Sequence, residues 1–138
     1  MVVRCYNPRL LATELFHRRG TWATGFVAPS TNIALPYDWS PDDKELLVSQ
    51  PGNETQREEV WVYQLAGAPH AEMLARKLIS DPAYDLGQPH FAPDGRWIVF
   101  EAVVNSATAG ESTLYIVPTA GGSWTRITDG MQWDDKPR

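Results

Sequence analysis

Apolar positions along this chain come in short runs, each closed off by turn residues. Leu46-Leu47-Val48, Val60-Trp61-Val62-Tyr63, Trp97-Ile98-Val99-Phe100 and Leu114-Tyr115-Ile116-Val117 are the clearest. Such runs, rich in β-branched and aromatic residues, favour strands over helices. Pro and Gly stand singly or in pairs between them, as many short strands joined by turns require. One stretch departs from this rhythm. Residues 70–78, HAEMLARKL, hold good helix formers, with Leu74 and Leu78 at helical spacing, and could supply one helical turn.

The runs recur in register. DWSPDDKELLV from Asp38 matches HFAPDGRWIVF from His90, and Trp39 and Phe91 lie 52 positions apart. The shared pattern is aromatic, small, Pro, Asp, Gly or Asp, basic, any residue, then three apolar residues. Val60-Trp61-Val62-Tyr63 recurs as Leu114-Tyr115-Ile116-Val117, and Ile79-Ser80-Asp81 as Ile127-Thr128-Asp129. Pro89 follows Ile79 by ten positions, Pro137 follows Ile127 by ten, and Tyr37 follows Val27 by ten. A repeat of about 50 residues with four strand segments has the size of a β-propeller blade. One four-stranded sheet cannot bury both its faces alone, so such sheets stack around an axis.

The expected fold is therefore all-β, a β-propeller fragment of about two complete four-stranded antiparallel blades with partial blades at both ends. Strands A to D of the first blade are expected at 37–40, 45–49, 60–65 and 77–80. Those of the second are expected at 90–92, 97–102, 113–118 and 124–128. Residues 14–18 and 24–27 read as strands C and D of an upstream blade lacking A and B, behind an irregular N-terminus. The segmentation is 1–36, 37–88, 89–136, and 137–138 as the start of a following blade.

PHFAPDGRWIVF, from Pro89, resembles the repeat of TolB-like β-propellers, a WD40-like type whose usual form is P-x-[FW]-S-P-D-G-x-x-[IL]-x-[FY]. YDWSPDDKELLV, from Tyr37, matches it with Tyr37 for Pro and Asp43 for Gly. Asp tolerates left-handed backbone better than most residues, so the turn survives. The resemblance implies a six-bladed parent of bacterial type, strand A innermost beside the channel, and a periplasmic or otherwise extracytoplasmic location. It implies a non-catalytic module for protein interaction or ligand sensing. The alternative is the gating propeller of a prolyl-oligopeptidase-like peptidase, with catalysis on a separate α/β-hydrolase domain. A fold does not choose between these.

Charge narrows the partners. The net charge is −5 and the densest basic cluster is His17-Arg18-Arg19. That gives little drive toward nucleic acid or an anionic membrane. No apolar run approaches the ~20 residues of a membrane span, and residues 1–20 lack a signal-peptide core. Cys5 is the only cysteine, so no internal disulfide forms.

Candidate chemistry is thin. His17, His70 and His90 have no zinc-type spacing to one another or to Cys5. There is no Gly-x-Ser-x-Gly elbow, phosphate loop or dinucleotide fingerprint. No catalytic residue, metal or cofactor is expected. Asp134 and Asp135 are adjacent, so on a strand they would face opposite sides and not converge on one atom. The candidate binding residues are Asp42 and Lys44 in the first Pro-Asp turn, Asp94 and Arg96 in the second, and His90 on strand A beside the channel. The simpler reading of the aspartates is turn capping, and of His90, a strand residue bonded to its neighbours. Trp39, Phe91, Trp97, Phe100, Trp61 and Tyr115 recur in register, which points to packing between blades.

A closed propeller needs at least four blades, and 138 residues at ~45 per blade supply fewer than three. Expressed alone, the chain is expected to leave apolar sheet faces open and to self-associate, with a ring of two or three copies the most economical arrangement; as a piece cut from a longer chain it is expected to be marginally stable and aggregation-prone.

Overall fold

The computed structural model describes residues 4–7, 12–15, 25–26, 34–64, 74–104 and 111–131. These form eleven strands and, among the described residues, no helix. Strands β4 (Leu35–Trp39), β5 (Glu45–Pro51), β6 (Glu58–Gln64) and β7 (Leu74–Ile79) make one antiparallel sheet in chain order. Strands β8 (Tyr84–Phe91), β9 (Trp97–Val104), β10 (Ser112–Pro118) and β11 (Thr125–Arg126) make a second of the same order. They are strands A to D of two successive blades. A three-stranded sheet precedes them, formed by β1 (Arg4–Asn7), β2 (Ala12–Leu15) and β3 (Gly25–Phe26).

The two blades are copies down to single bonds. Ser40 N–H donates to Glu45 O at 2.8 Å, and Ala92 N–H to Trp97 O at 2.8 Å. Asp43 N–H donates to Ser40 O at 2.9 Å, and Gly95 N–H to Ala92 O at 2.9 Å. Asp43 has φ 59° and Gly95 φ 70°, so Asp43 adopts the left-handed backbone that its twin reserves for glycine. Both A strands shift register at the same place, between Pro36 and Asp38 and between Gly87 and His90.

Pleating gives each sheet two apolar faces. Leu47, Val60, Val62 and Ile79 of the first blade meet Leu86, Ile98, Phe100, Ala102 and Val117 of the second in one core. Leu46, Val48 and Tyr63, with Ala34, form a second cluster on the opposite face of the first blade. Polar groups tie the blades together across the apolar seam. The Ser49 hydroxyl donates to Leu86 O at 3.0 Å, and the Asp38 carboxylate accepts Phe91 N–H at 2.9 Å. Buried polar groups need such partners, and these also fix the register of one blade against the next.

The structure departs from the sequence expectations in four places. Residues 74–79 are strand β7, not helix: pairing with β6 from Gln64 to Val60 satisfies their backbone and overrides helical propensity. Strand β8 begins at Tyr84, ahead of the expected start at His90. The bulge lets Pro89 sit inside the strand, where a regular ladder would exclude it. The N-terminus is not wholly irregular, because Arg4–Asn7 pairs with Ala12–Leu15 as a third strand of the upstream sheet. Trp97 is 40% exposed rather than packed between blades, since it opens strand B on the outer face of the second sheet. His17, His70, Asp134, Asp135 and the expected start of a following blade at 137–138 lie outside the described residues.

Candidate functional site

The Pro-Asp turns sit at one end of both sheets. In the first, the Ser40 hydroxyl donates to the Asp42 carboxylate at 2.7 Å and accepts the N–H groups of Lys44 and Glu45 at 3.1 and 2.9 Å. Lys44 Nζ lies 3.2 Å from Asp42 Oδ2. In the second, Asp94 accepts the backbone N–H of Arg96 at 3.0 Å and its Nε–H at 2.7 Å. The Ser40 hydrogen bond, then Lys44, holds the Asp42 carboxyl below the usual carboxylate range. The Arg96 backbone N–H, then its side chain, does the same for Asp94. Each turn therefore presents a charged acid–base pair to solvent, with the Lys44 and Arg96 side chains 77% and 78% exposed.

The turns are neighbours. A Cβ on Gly95 would lie 3.6 Å from the Pro41 ring. Thr119 locks the second turn by donating its hydroxyl to Gly95 O at 2.8 Å and its N–H to Arg96 O at 2.9 Å. Arg76 Nη2 of the first blade donates to Thr119 O at 2.7 Å and so spans the seam. Rigid loops on a scaffold are where binding residues concentrate. The four turn residues foreseen from sequence, Asp42, Lys44, Asp94 and Arg96, are thus gathered on one rim.

His90 belongs to a different group. Its Nδ1 lies 3.6 Å from Asp38 Oδ2, and its ring meets Tyr37 edge-on at 6.5 Å between centroids. Around them on the inner strands, Gln88 donates its side-chain amide to Glu101 at 2.9 Å. Burial raises the Tyr37 hydroxyl pKa; a hydrogen bond from the Gln88 N–H opposes this, and Glu58 and Glu101 reinforce it. Sequence reasoning missed Asp38, Tyr37, Gln88 and Glu101. Only Asp38 left a signal, as the acidic twin of His90, 52 positions earlier in the repeat. Further along the seam Arg57 Nη1 lies 3.3 Å from Asp85, whose carboxylate also accepts Glu58 N–H at 3.1 Å. Among the described residues no three His, Cys, Asp or Glu side chains converge to hold a metal ion. Among them also no helix is long and apolar enough to cross a membrane.

No protein-family model matches the chain. No curated protein matches it either. Among solved structures it is similar to a TolB candidate from Agrobacterium tumefaciens, with TM-score 0.56 and 22% sequence identity. The match covers 86% of this chain and 42% of that one, so the chain spans less than half of its neighbour's length. Two four-stranded antiparallel sheets in A-to-D order, stacked through a shared core, and this neighbour lead to one conclusion: the chain has the fold of a TolB-like β-propeller segment.

Proposed function

We propose that the chain is a non-catalytic propeller module that binds a protein partner or small ligand through its rim turns. The supporting observation is the pair of adjacent turns at residues 41–44 and 93–96. Each holds an aspartate locally and projects an exposed cation. Neither pair is needed by the core, so both are available to a partner carrying carboxylates or backbone carbonyls. His90, beside Asp38 and Tyr37, is a second polar feature, which a ligand entering the channel would meet. The resemblance to TolB-like repeats supports a working module within a larger bacterial protein and an extracytoplasmic location. No catalytic group, metal or cofactor enters this reading.

Immobilised chain, exposed to an extract of its own source, should retain a defined partner. Arg96→Ala and Lys44→Ala should weaken retention at least tenfold and leave the melting temperature within a degree or so, as surface changes do. Retention unaffected by both substitutions, or turnover abolished by His90→Ala, would refute the reading.

A further inference from the structure

The two rim turns close by different means. In the first, the Ser40 hydroxyl sits inside the turn: it accepts the Lys44 and Glu45 N–H groups and donates to the Asp42 carboxylate, so the bonds that shape the turn are local. The repeat places Ala92 at that position in the second turn. A methyl group offers no acceptor to the backbone. Within the second turn Asp94 holds Arg96 through its backbone N–H and its Nε–H, and no hydroxyl stands where Ser40 does.

The second turn is closed from outside instead. Thr119, which follows β10, donates its hydroxyl to Gly95 O at 2.8 Å and its N–H to Arg96 O at 2.9 Å. Thr119 is in turn held from the first blade. Arg76 Nη2 donates to Thr119 O at 2.7 Å and lies 4.0 Å from Glu45 Oε1, at the foot of the first turn. Register explains this reach. Arg76 pairs with Val62, and directly paired strand residues share a sheet face, here the one that Val62 and Leu47 turn toward the second blade. The blade itself does not call for an arginine there: opposite Ile116, the repeat equivalent of Val62, stands Thr125.

We propose that Arg76 is a positioning residue for Arg96, locking the second rim turn from across the seam with Thr119 as the relay. The inference rests on the reading of Arg96 as a binding residue and adds a condition to it. Lys44 is presented by its own blade, whereas Arg96 is presented in fixed geometry only while the first blade is docked. A charge-assisted bond from a planar guanidinium suits this task, because it fixes the orientation of the carbonyl that accepts it. The two cations then form one surface that straddles the seam, and a partner spanning both reads the joined pair of blades rather than either alone.

The lock is measured on the free chain by amide hydrogen exchange, residue by residue. In Arg76→Gln, exchange at the Thr119 and Gly95 N–H groups should rise about tenfold or more, as local opening requires. Asp43 N–H, the twin of Gly95 in the turn that Ser40 closes, should stay within about threefold of the parent, as should Phe100 and Tyr115 in the middle of the second sheet. Ala92→Ser gives the second turn the hydroxyl of the first, so adding it to Arg76→Gln should return Gly95 to its parental exchange. Thr119→Val keeps the N–H and removes the hydroxyl. It should loosen Gly95 in the same way, and combined with Arg76→Gln it should do less than the two separate effects together, because both act along one path. Unchanged exchange at Thr119 and Gly95 in Arg76→Gln, a uniform rise through β8, β9 and β10, or a loss that Ala92→Ser leaves uncorrected would each overturn the proposal. No partner enters the measurement, so a chain that shows this pattern and retains nothing from an extract fails the binding reading and leaves the lock standing.

Discussion

The two blades carry one sequence pattern and end in unlike environments. Leu47, Val60 and Val62 are sealed, whereas Val99, Leu114 and Ile116 repeat them half-buried, with no further blade against them among the described residues. The polar positions differ too. Ser49 and Asp38 reach across to the next strand A, while their twins Glu101 and His90 have no such strand among the described residues. Burial is therefore not a property of the repeat. It is set by the neighbouring blade, as nearest-neighbour stability in repeat proteins requires.

Several substitutions test that contrast. Phe100, stacked on Tyr115 and tilted against Trp124, is the largest fully buried side chain among the described residues. Phe100→Ala should cost about 3–5 kcal/mol in denaturant titration. Leu47→Ala should cost about 2–4 kcal/mol. Val99→Ala should cost under about 1 kcal/mol, because its side chain is only half-buried. Equal costs for Leu47 and Val99 would erase the distinction between the faces. Asp38→Ala should cost about 1.5–3 kcal/mol, the range for a hydrogen bond to a charged group, by freeing Phe91 N–H; His90→Ala should cost little.

The turns differ by one residue and give a smaller effect. Asp43→Gly should stabilise the protein by roughly 0.5–1 kcal/mol by removing a side chain from left-handed backbone, and Gly95→Ala should destabilise it by at least as much. The smallest effect is in pH. Asp42 and Asp94 have depressed carboxyl pKa values, so their contribution is complete above the unfolded carboxylate range, near pH 4. It disappears as pH falls through the folded values. Asp42→Asn should therefore separate from the parent in melting temperature near neutrality and converge with it in strong acid.

Much of the fold was legible because the repeat locates its own turns. The Pro-Asp-Gly and Pro-Asp-Asp segments, read against each other, placed strands A and B, and the matched aromatic runs placed strand C. The reading failed where pairing overrides local preference. Leu74 to Leu78 has a helical composition and a strand's backbone, because β6 offers it a ladder. The start of β8 was hidden by Pro89, which composition reads as a boundary and the bulge turns into an interior residue. Of the candidate site, the two turn pairs were visible because their partners are local in sequence. The group of Asp38, Tyr37, Gln88 and Glu101 was not, since its members come from three strands and meet only when the blades stack.

The outer strands have a consequence for misassembly. Strand β11 is two residues long, and β7 places Arg76 and Lys77 in the middle of its edge. Growth of a cross-β fibre needs a long, flat, uncharged edge on which to add identical segments. The periphery of these blades offers none: one edge is too short to template and the other repels its own image. Heating or concentrating the chain should therefore give amorphous precipitate through exposed faces before it gives thioflavin-positive fibrils. Replacing Arg76 and Lys77 with threonine should reverse that order.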